Sequence, residues 1–351
     1  MRFTNPRLNQ PGVKRLFRTE PDRPMALLKR CPVYEPTPLH VMPVFAADLG
    51  IGALMVKDET RRMKLGSFKA LGGVFAVAQM IEGATGAAGL DSERARTTAA
   101  GMTFITASAG NHGLSVAAGA RIFGARGIIV LGSAVPEGFA ERIRKTGSEV
   151  VRVDGSYEDS VQYAIDAAEQ NGWLLLADGS WDGYIERPAL IMEGYSVLAE
   201  ECRQALESAG TWPTHVFVQA GVGGLASALA AHIREHWPQQ PQIIVVEPEA
   251  APCLLKSVQA GKLTRAEGPE SNMGRLDCKD ASLIAFEALR RDADLFMTVT
   301  DEQAEGVARD CAKHGIQTTP SGAAPFAALK ELDPGPGARC LLIATEGPET
   351  A

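Results

Sequence analysis

No stretch of the sequence reaches the ~18 consecutive apolar residues that a membrane-spanning helix needs. The opening residues, MRFTNPRLNQPGVKRLF, carry prolines and scattered charges where a secretory signal needs an apolar core, so a soluble, cytoplasmic protein is expected. A surplus of basic charge is missing too: 35 Lys and Arg stand against 42 Asp and Glu, a formal net charge of −7. Nucleic acid and anionic membranes ask for the opposite balance, which leaves a small molecule as the expected partner. The six cysteines (Cys31, Cys202, Cys253, Cys278, Cys311, Cys340) show no CxxC spacing and read as reduced thiols, with neither a metal site nor a disulfide frame expected. HIREH puts His232 and His236 four apart, but it is not HExxH and no third ligand is suggested; an exposed polar helix face is the expectation. There is no internal repeat and no low-complexity linker, and DSERARTTAAG and GKLTRAEGPESNMG read as loops.

What is present is alternation. From about residue 100, MTFITAS, GIIVLG and EVVRVDG read as strands, and GNHGLSVAAGARIFG, PEGFAERIRKTG and SYEDSVQYAIDAAEQNG between and after them as helices. HVFVQ, QIIVVEPEA and RCLLIATEG add three buried strands. Strands trading with helices of that length imply right-handed crossovers and mostly parallel sheets. A chain of 351 residues has room for two such units. The expected fold is α/β: two lobes of twisted, mostly parallel sheet flanked by helices, with the active site in the cleft between them.

Three short segments carry the chemistry. SAGNHG (Ser108 to Gly113) follows a strand and opens a helix, a geometry that turns backbone N–H groups toward an anion at the strand's carboxyl end. AGVGGL (Ala220 to Leu225) repeats the device, and its glycines allow close approach of a phosphate without any basic side chain. It is neither GxGxxG nor a Walker loop. GSFKALGG (Gly66 to Gly73) places Lys69 on the first turn of a helix closed by two glycines, where the positive end of the helix dipole favours a neutral amine. A phosphate nest, an amide donor and an uncharged lysine are together what pyridoxal phosphate requires.

SFKALGG, SAGNHG, GVGGL and the final IATEG occur in an order and spacing that resembles the fold-type II pyridoxal-phosphate enzymes, the group of threonine dehydratase, threonine synthase and cysteine synthase, over nearly the whole chain. DGSWDGYIERPALIMEGY (Asp178 to Tyr195) and KDETRRMKLGSFKALGG are similar to the diaminopropionate ammonia-lyase branch. The resemblance implies a large coenzyme-binding domain from residues 1–84 and 191–351, a small α/β domain from 85–190, and a homodimer. It implies that Lys69 forms the imine with pyridoxal 5'-phosphate and moves the α-proton, with Phe68 packed beside the ring and Asn111 on the ring hydroxyl. Gly221, Val222, Gly223, Gly224 and Leu225 would hold the phosphate by backbone amides. Thr345 would stand near the pyridine nitrogen, where a hydroxyl suits elimination better than transamination. Asp178 matches the branch's catalytic aspartate; an acid that protonates a departing amine contributes about 10²- to 10⁴-fold. Ser108, Ala109, Gly110, His112 and Arg275 fall on the substrate side.

Two departures from the branch carry expectations of their own. Its second aspartate, used on the D-isomer, is replaced by Ala109, which predicts L-selectivity or another substrate. SNMGRLDC (Ser271 to Cys278) brings Arg275, either an exposed loop arginine or a fork for an anionic β-substituent. Cys278 and Cys311 have no base nearby in sequence and are not expected to be nucleophiles, while the Asp301 and Glu302 pair reads as a helix start, with Asp301 near the N-cap and acids in the first turn, and TPSGAAPFAAL as a helix start near the substrate. The implied reaction is α,β-elimination from a β-substituted amino acid, through aminoacrylate, to a 2-oxo acid and ammonia. A dehydratase of serine, threonine or hydroxyaspartate is the first alternative, favoured by SAGNHG. A D-cysteine desulfhydrase or β-replacing synthase is the second, and a catalytically silent regulatory relative the third.

Overall fold

The computed structural model describes residues 1–6, 15–86, 89–108, 110–133 and 135–348. Among them eleven strands form two sheets: β1 (Arg2–Thr4), β2 (Leu39–Val41), β3 (Ala53–Asp58), β4 (Thr103–Ala107), β5 (Arg126–Gly132), β6 (Glu149–Val153), β7 (Leu174–Leu175), β8 (His215–Gln219), β9 (Gln242–Pro248), β10 (Leu295–Val299) and β11 (Arg339–Ala344). The larger sheet runs β1-β10-β9-β8-β11-β3-β2 and the smaller β6-β5-β4-β7. Only β1 and β2, at the two edges of the larger sheet, pair antiparallel; the rest are parallel. That is why β8, β9 and β11 are nearly continuous apolar runs, buried on both faces by helices. Parallel strands bring their carboxyl ends to one side. The loops leaving β3, β8 and β11 therefore meet those leaving β4 and β7.

The helix Lys69–Thr85 joins the two sheets' surroundings, packing on Asn111–Phe123 and on Glu186–Ala209. Its two early glycines do not close it; it runs through them for seventeen residues. A Cβ on Gly72 would lie 2.7 Å from the Ile191 carbonyl, and one on Gly194 would lie 2.7 Å from the Leu71 carbonyl. The glycines serve helix contact, and their pattern reads as punctuation because local sequence does not show a partner helix about 120 positions away.

The segment before Lys69 is anchored by buried charge. Arg62, fully buried, donates to both oxygens of Glu59 at 2.7 Å and to those of Glu201 at 2.8 and 2.6 Å. Lys57 Nζ adds 2.5 Å to Glu201, Tyr34 donates to Glu201 at 2.8 Å, and Thr37 to Glu59 at 2.5 Å. Two acids face two cations with every partner in hydrogen-bond range, the condition under which a buried ionic cluster survives desolvation.

Two local expectations are corrected, and one helix start stands as expected. DSERARTTAAG holds the helix Glu93–Ala100, started by the Ser92 hydroxyl accepting from Ala95 N at 3.0 Å; its alanines and threonines are too weakly apolar to show a period. The helix start expected at Asp301 and Glu302 is there: Thr300 is the N-cap, in a reciprocal box with Gln303, and both acids stand in the first turn. HIREH is not an exposed face: His232 is fully buried, 3.2 Å from the Glu200 carboxylate.

Candidate active site

Lys69 opens its helix and is held there by the end of β11. Phe68 N donates to the Thr345 carbonyl at 3.1 Å, Gly347 N to the Gly66 carbonyl at 3.0 Å, and Ser67 bridges Glu346. From the other side Ser115 Oγ donates to the Lys69 carbonyl at 2.7 Å. The ammonium donates to Asp178 Oδ2, and it lies 5.3 Å from the centre of the Phe68 ring. Burial works against charge on both partners, yet each holds the other ionised: Lys69 is raised above the ordinary lysine range by Asp178, and Asp178 sits below the ordinary carboxylate range through Lys69. This corrects the expectation of a neutral amine. The helix dipole and burial are outweighed by a carboxylate 109 positions further along the chain.

The turn after β4 is tied to itself. Ser108 Oγ accepts from Gly110 N at 2.9 Å and from Gly113 N at 2.8 Å, so those two amides serve the turn and not an external anion. Ala109 lies outside the described residues. His112 Nε2 is 2.7 Å from the Leu176 carbonyl, which leaves Nδ1 as the acceptor of a neutral ring whose pKa burial pushes down. Asn111 Nδ2 donates to Glu346 Oε2, across 235 positions of sequence, while Thr319 Oγ1 donates to Glu346 Oε1 at 2.7 Å. Arg275 is one-fifth exposed, not a solvent arginine; it stands 4.0 Å from Glu346 and 4.7 Å over the Phe139 ring.

At the glycine loop the helix Gly224–His236 begins without a side-chain cap, although Gly223, Gly224 and Leu225 are buried. Gly223 takes φ 101°, a left-handed conformation that a side chain resists. Buried, uncapped first-turn amides need an acceptor from outside the helix, and an anionic oxygen suits them. Thr345, 4% exposed, accepts from Gln219 Nε2 at 2.9 Å, so its own proton is free for a ring nitrogen. Three buried polar atoms in this region, Tyr195 OH, His112 Nδ1 and Gln219 Oε1, have no hydrogen-bond partner among the described residues. An amine, an uncapped helix start, a hydroxyl donor and orphaned polar atoms fit a phosphorylated pyridine aldehyde.

The structure thus brings Lys69, Phe68, Asp178 and His112 into one cluster, Asn111 and Arg275 into a second around Glu346, and the glycine loop and Thr345 to the ends of β8 and β11. Glu346 and Tyr195 were not singled out from sequence. Glu346 is the neighbour of Thr345 in ATEG, and Tyr195 closes IMEGY; its ring meets Phe68 edge-on at 4.9 Å, and a Cβ on Gly224 would be 3.6 Å from it. Burial, its largest influence, holds the Tyr195 phenol neutral. Cys278 flanks Gly221, and burial pushes its thiol up to about 12, which keeps it inert. Beyond Asp178 opens a cavity of about 460 Å³ walled by Tyr157, Gln162, Trp181, Val222 and Cys278.

Comparison with known proteins agrees with this geometry. The family model described as "Pyridoxal-phosphate dependent enzyme" matches residues 31–346. Diaminopropionate ammonia-lyase of Escherichia coli (strain K12) is 33% identical over 276 residues, covering 77% of this chain and 69% of the relative. The enzyme of that name from Salmonella typhimurium (strain LT2) is 34% identical over 289 residues, covering 79% and 72%. The crystal structure of the Escherichia coli protein with an aminoacrylate-PLP azomethine reaction intermediate superposes with a TM-score of 0.88 at 28% identity, over 99% of this chain and 93% of that one. With the lysine, the uncapped glycine loop and a buried threonine hydroxyl in place, the chain belongs to the pyridoxal-phosphate dependent enzymes of fold type II, and pyridoxal phosphate is its cofactor.

Proposed function

We propose that the protein is an ammonia-lyase acting on 2,3-diaminopropionate or a close β-amino analogue, giving pyruvate and two molecules of ammonia from diaminopropionate and water. The observation that carries this reading is the Lys69–Asp178 pair, an ammonium donating to a carboxylate at the meeting point of the two sheets. When bound, pyridoxal phosphate supplies the electron sink for the pair left at the α-carbon. Lys69 takes the α-proton. Asp178 is held ionised by the lysine's charge against burial, which acts to protonate it. Wherever that charge is withdrawn, burial is the chief influence remaining, and the carboxyl gains the capacity to hold a proton for a leaving amine. The first-turn amides of the helix Gly224–His236 would hold the phosphate, Thr345 would serve the ring nitrogen and Phe68 the ring face, and Asn111, steadied by its contact with Glu346, would serve the ring hydroxyl. Arg275, Ser108, Gly110 and His112 bound the substrate side.

The proposed division into 1–84 with 191–351 and 85–190 is supported by strand membership, since β4 to β7 alone build the smaller sheet. A homodimer and a cytoplasmic location belong to the same reading; no helix among the described residues is long and apolar enough to cross a membrane. Release of 2-oxo acid from L- and D-diaminopropionate, serine, threonine, hydroxyaspartate and cysteine tests the assignment. Diaminopropionate is expected to be turned over fastest, the L-isomer ahead of the D-isomer as Ala109 implies. Faster turnover of serine or threonine would make the enzyme a dehydratase, and equal rates on both isomers would remove the role given to Ala109.

A further inference from the structure

The strand that leads to Asp178 belongs to the smaller sheet, yet the residues just after the aspartate are fastened to the larger one by two serines. Ser180 and Ser282 are 4% and 1% exposed, and their hydroxyls lie 2.7 Å apart. Ser282 is the N-cap of the helix Leu283–Asp292, but its side chain makes no cap within that helix. It accepts instead from Ser180 N at 3.1 Å, and Ser180 Oγ supplies the missing cap, accepting from Ile284 N at 2.9 Å. Leu283 N donates to the Ser180 carbonyl at 2.9 Å, and Ser282 N to the Val222 carbonyl of the glycine loop at 3.0 Å. A serine at an N-cap normally satisfies its own helix. Here the cap is exchanged between two segments 102 positions apart, and the exchange runs from Asp178 to the phosphate-binding loop.

We propose that the Ser180–Ser282 pair is a positioning device for Asp178, fixing its carboxyl group relative to the glycine loop and Lys69 instead of to the smaller sheet. It rests on the lyase reading for the step it serves. There the α-proton leaves, its electron pair becomes the Cα–Cβ double bond, the Cβ–N bond breaks with its pair going to nitrogen, and Asp178 supplies the proton that nitrogen needs. A displacement of about 1 Å at such a group costs on the order of 10²-fold in rate. Chloride departs without a proton and is indifferent to it.

Ser282→Ala and Ser180→Ala holoenzymes, assayed on diaminopropionate and on β-chloroalanine, test this. The expected result is a 10- to 100-fold fall in kcat on diaminopropionate, roughly the range for a misplaced group, with turnover of β-chloroalanine and the coenzyme's absorbance retained. On an Asp178→Asn background, Ser282→Ala should cost nothing further. Amide exchange at residues 179–184 of the holoenzyme should quicken in Ser282→Ala. An equal loss on both substrates, an additive loss with Asp178→Asn, an undiminished kcat on diaminopropionate or unaltered exchange would each overturn the proposal. If the native enzyme does not accept diaminopropionate, serine replaces it as the substrate whose leaving group needs a proton, so the substrate assignment and the positioning role fail separately.

Discussion

At the scale of single residues the site is governed by one proton between Lys69 and Asp178. Asp178's pKa in the fold lies below its unfolded value, so its contribution to stability is complete above about pH 4 and is lost as pH falls below that. Lys69's lies above its unfolded value, so its contribution is complete below about pH 10 and is lost as pH rises beyond it. In coenzyme-free protein the unfolding free energy of the native chain minus that of Asp178→Asn should therefore be level across neutral pH and shrink toward both extremes. Urea titrations at five or six pH values would show this; a difference that does not vary with pH would mean that the pair is not ionised. The amine was legible in SFKALGG and the carboxylate in DGSW, but their pairing was not. Helix position pointed to a neutral lysine, and only the tertiary approach of Asp178 reverses the sign. Glu346 escaped notice for a related reason: its partners Asn111 and Thr319 come from two other loops.

Among the elements, the short helix Cys253–Ala260 bears on the glycine loop after β8 through a buried acid. Glu247, at the end of β9, accepts from Leu254 N and Leu255 N, both at 2.8 Å, and Cys253 Sγ lies 3.5 Å from the Gly221 carbonyl. Burial pushes the Glu247 carboxyl up to about 8 against the pull of those two amides. Between the ordinary carboxylate range and about pH 8 the folded chain keeps a proton that the unfolded chain gives up, so this group makes stability fall as pH rises. Glu247→Gln should lower stability at pH 5 through a poorer cap, yet flatten the decline from pH 5 to 8, a slope worth on the order of a few kcal/mol. Denaturant midpoints at both pH values measure it. Elements of this kind differ in how plainly the sequence displays them. β4, β5, β8, β9 and β11 are contiguous apolar runs with turn residues behind them, and they stand where the pattern puts them. The three-residue edges β1 and β2 are too short to carry a period, and the helix Glu93–Ala100 has an apolar side made almost only of alanine. Such elements exist because neighbours cover them.

For the molecule as a whole, the cofactor is a structural partner as well as a reagent. The uncapped start of the helix Gly224–His236 and the buried Gln219 Oε1, without a hydrogen-bond partner among the described residues, both lie at the carboxyl end of β8. A ligand that binds only the folded chain stabilises it by about 2.7 kcal/mol at a hundredfold excess over Kd. For a chain of this length that corresponds to roughly 3 to 4 °C in Tm. Thermal unfolding with and without pyridoxal phosphate should show such a rise, smaller in Lys69→Ala, which keeps the phosphate contacts and loses the covalent one. No rise in either would contradict the cofactor site.

The seam where Gly72 meets Gly194 has one more implication. With the two backbones pressed together and the Tyr195 ring and Ile191 side chain closing on Gly72, the helix bearing Lys69 has no latitude to slide, because its first turn lies immediately before the contact. A single methyl inserted there would push the amine out of alignment with its carboxylate by a distance comparable to a bond length, while most of the hydrophobic interior stayed intact. Variants at Gly72 should therefore fail as catalysts at temperatures where they still stand as folded proteins.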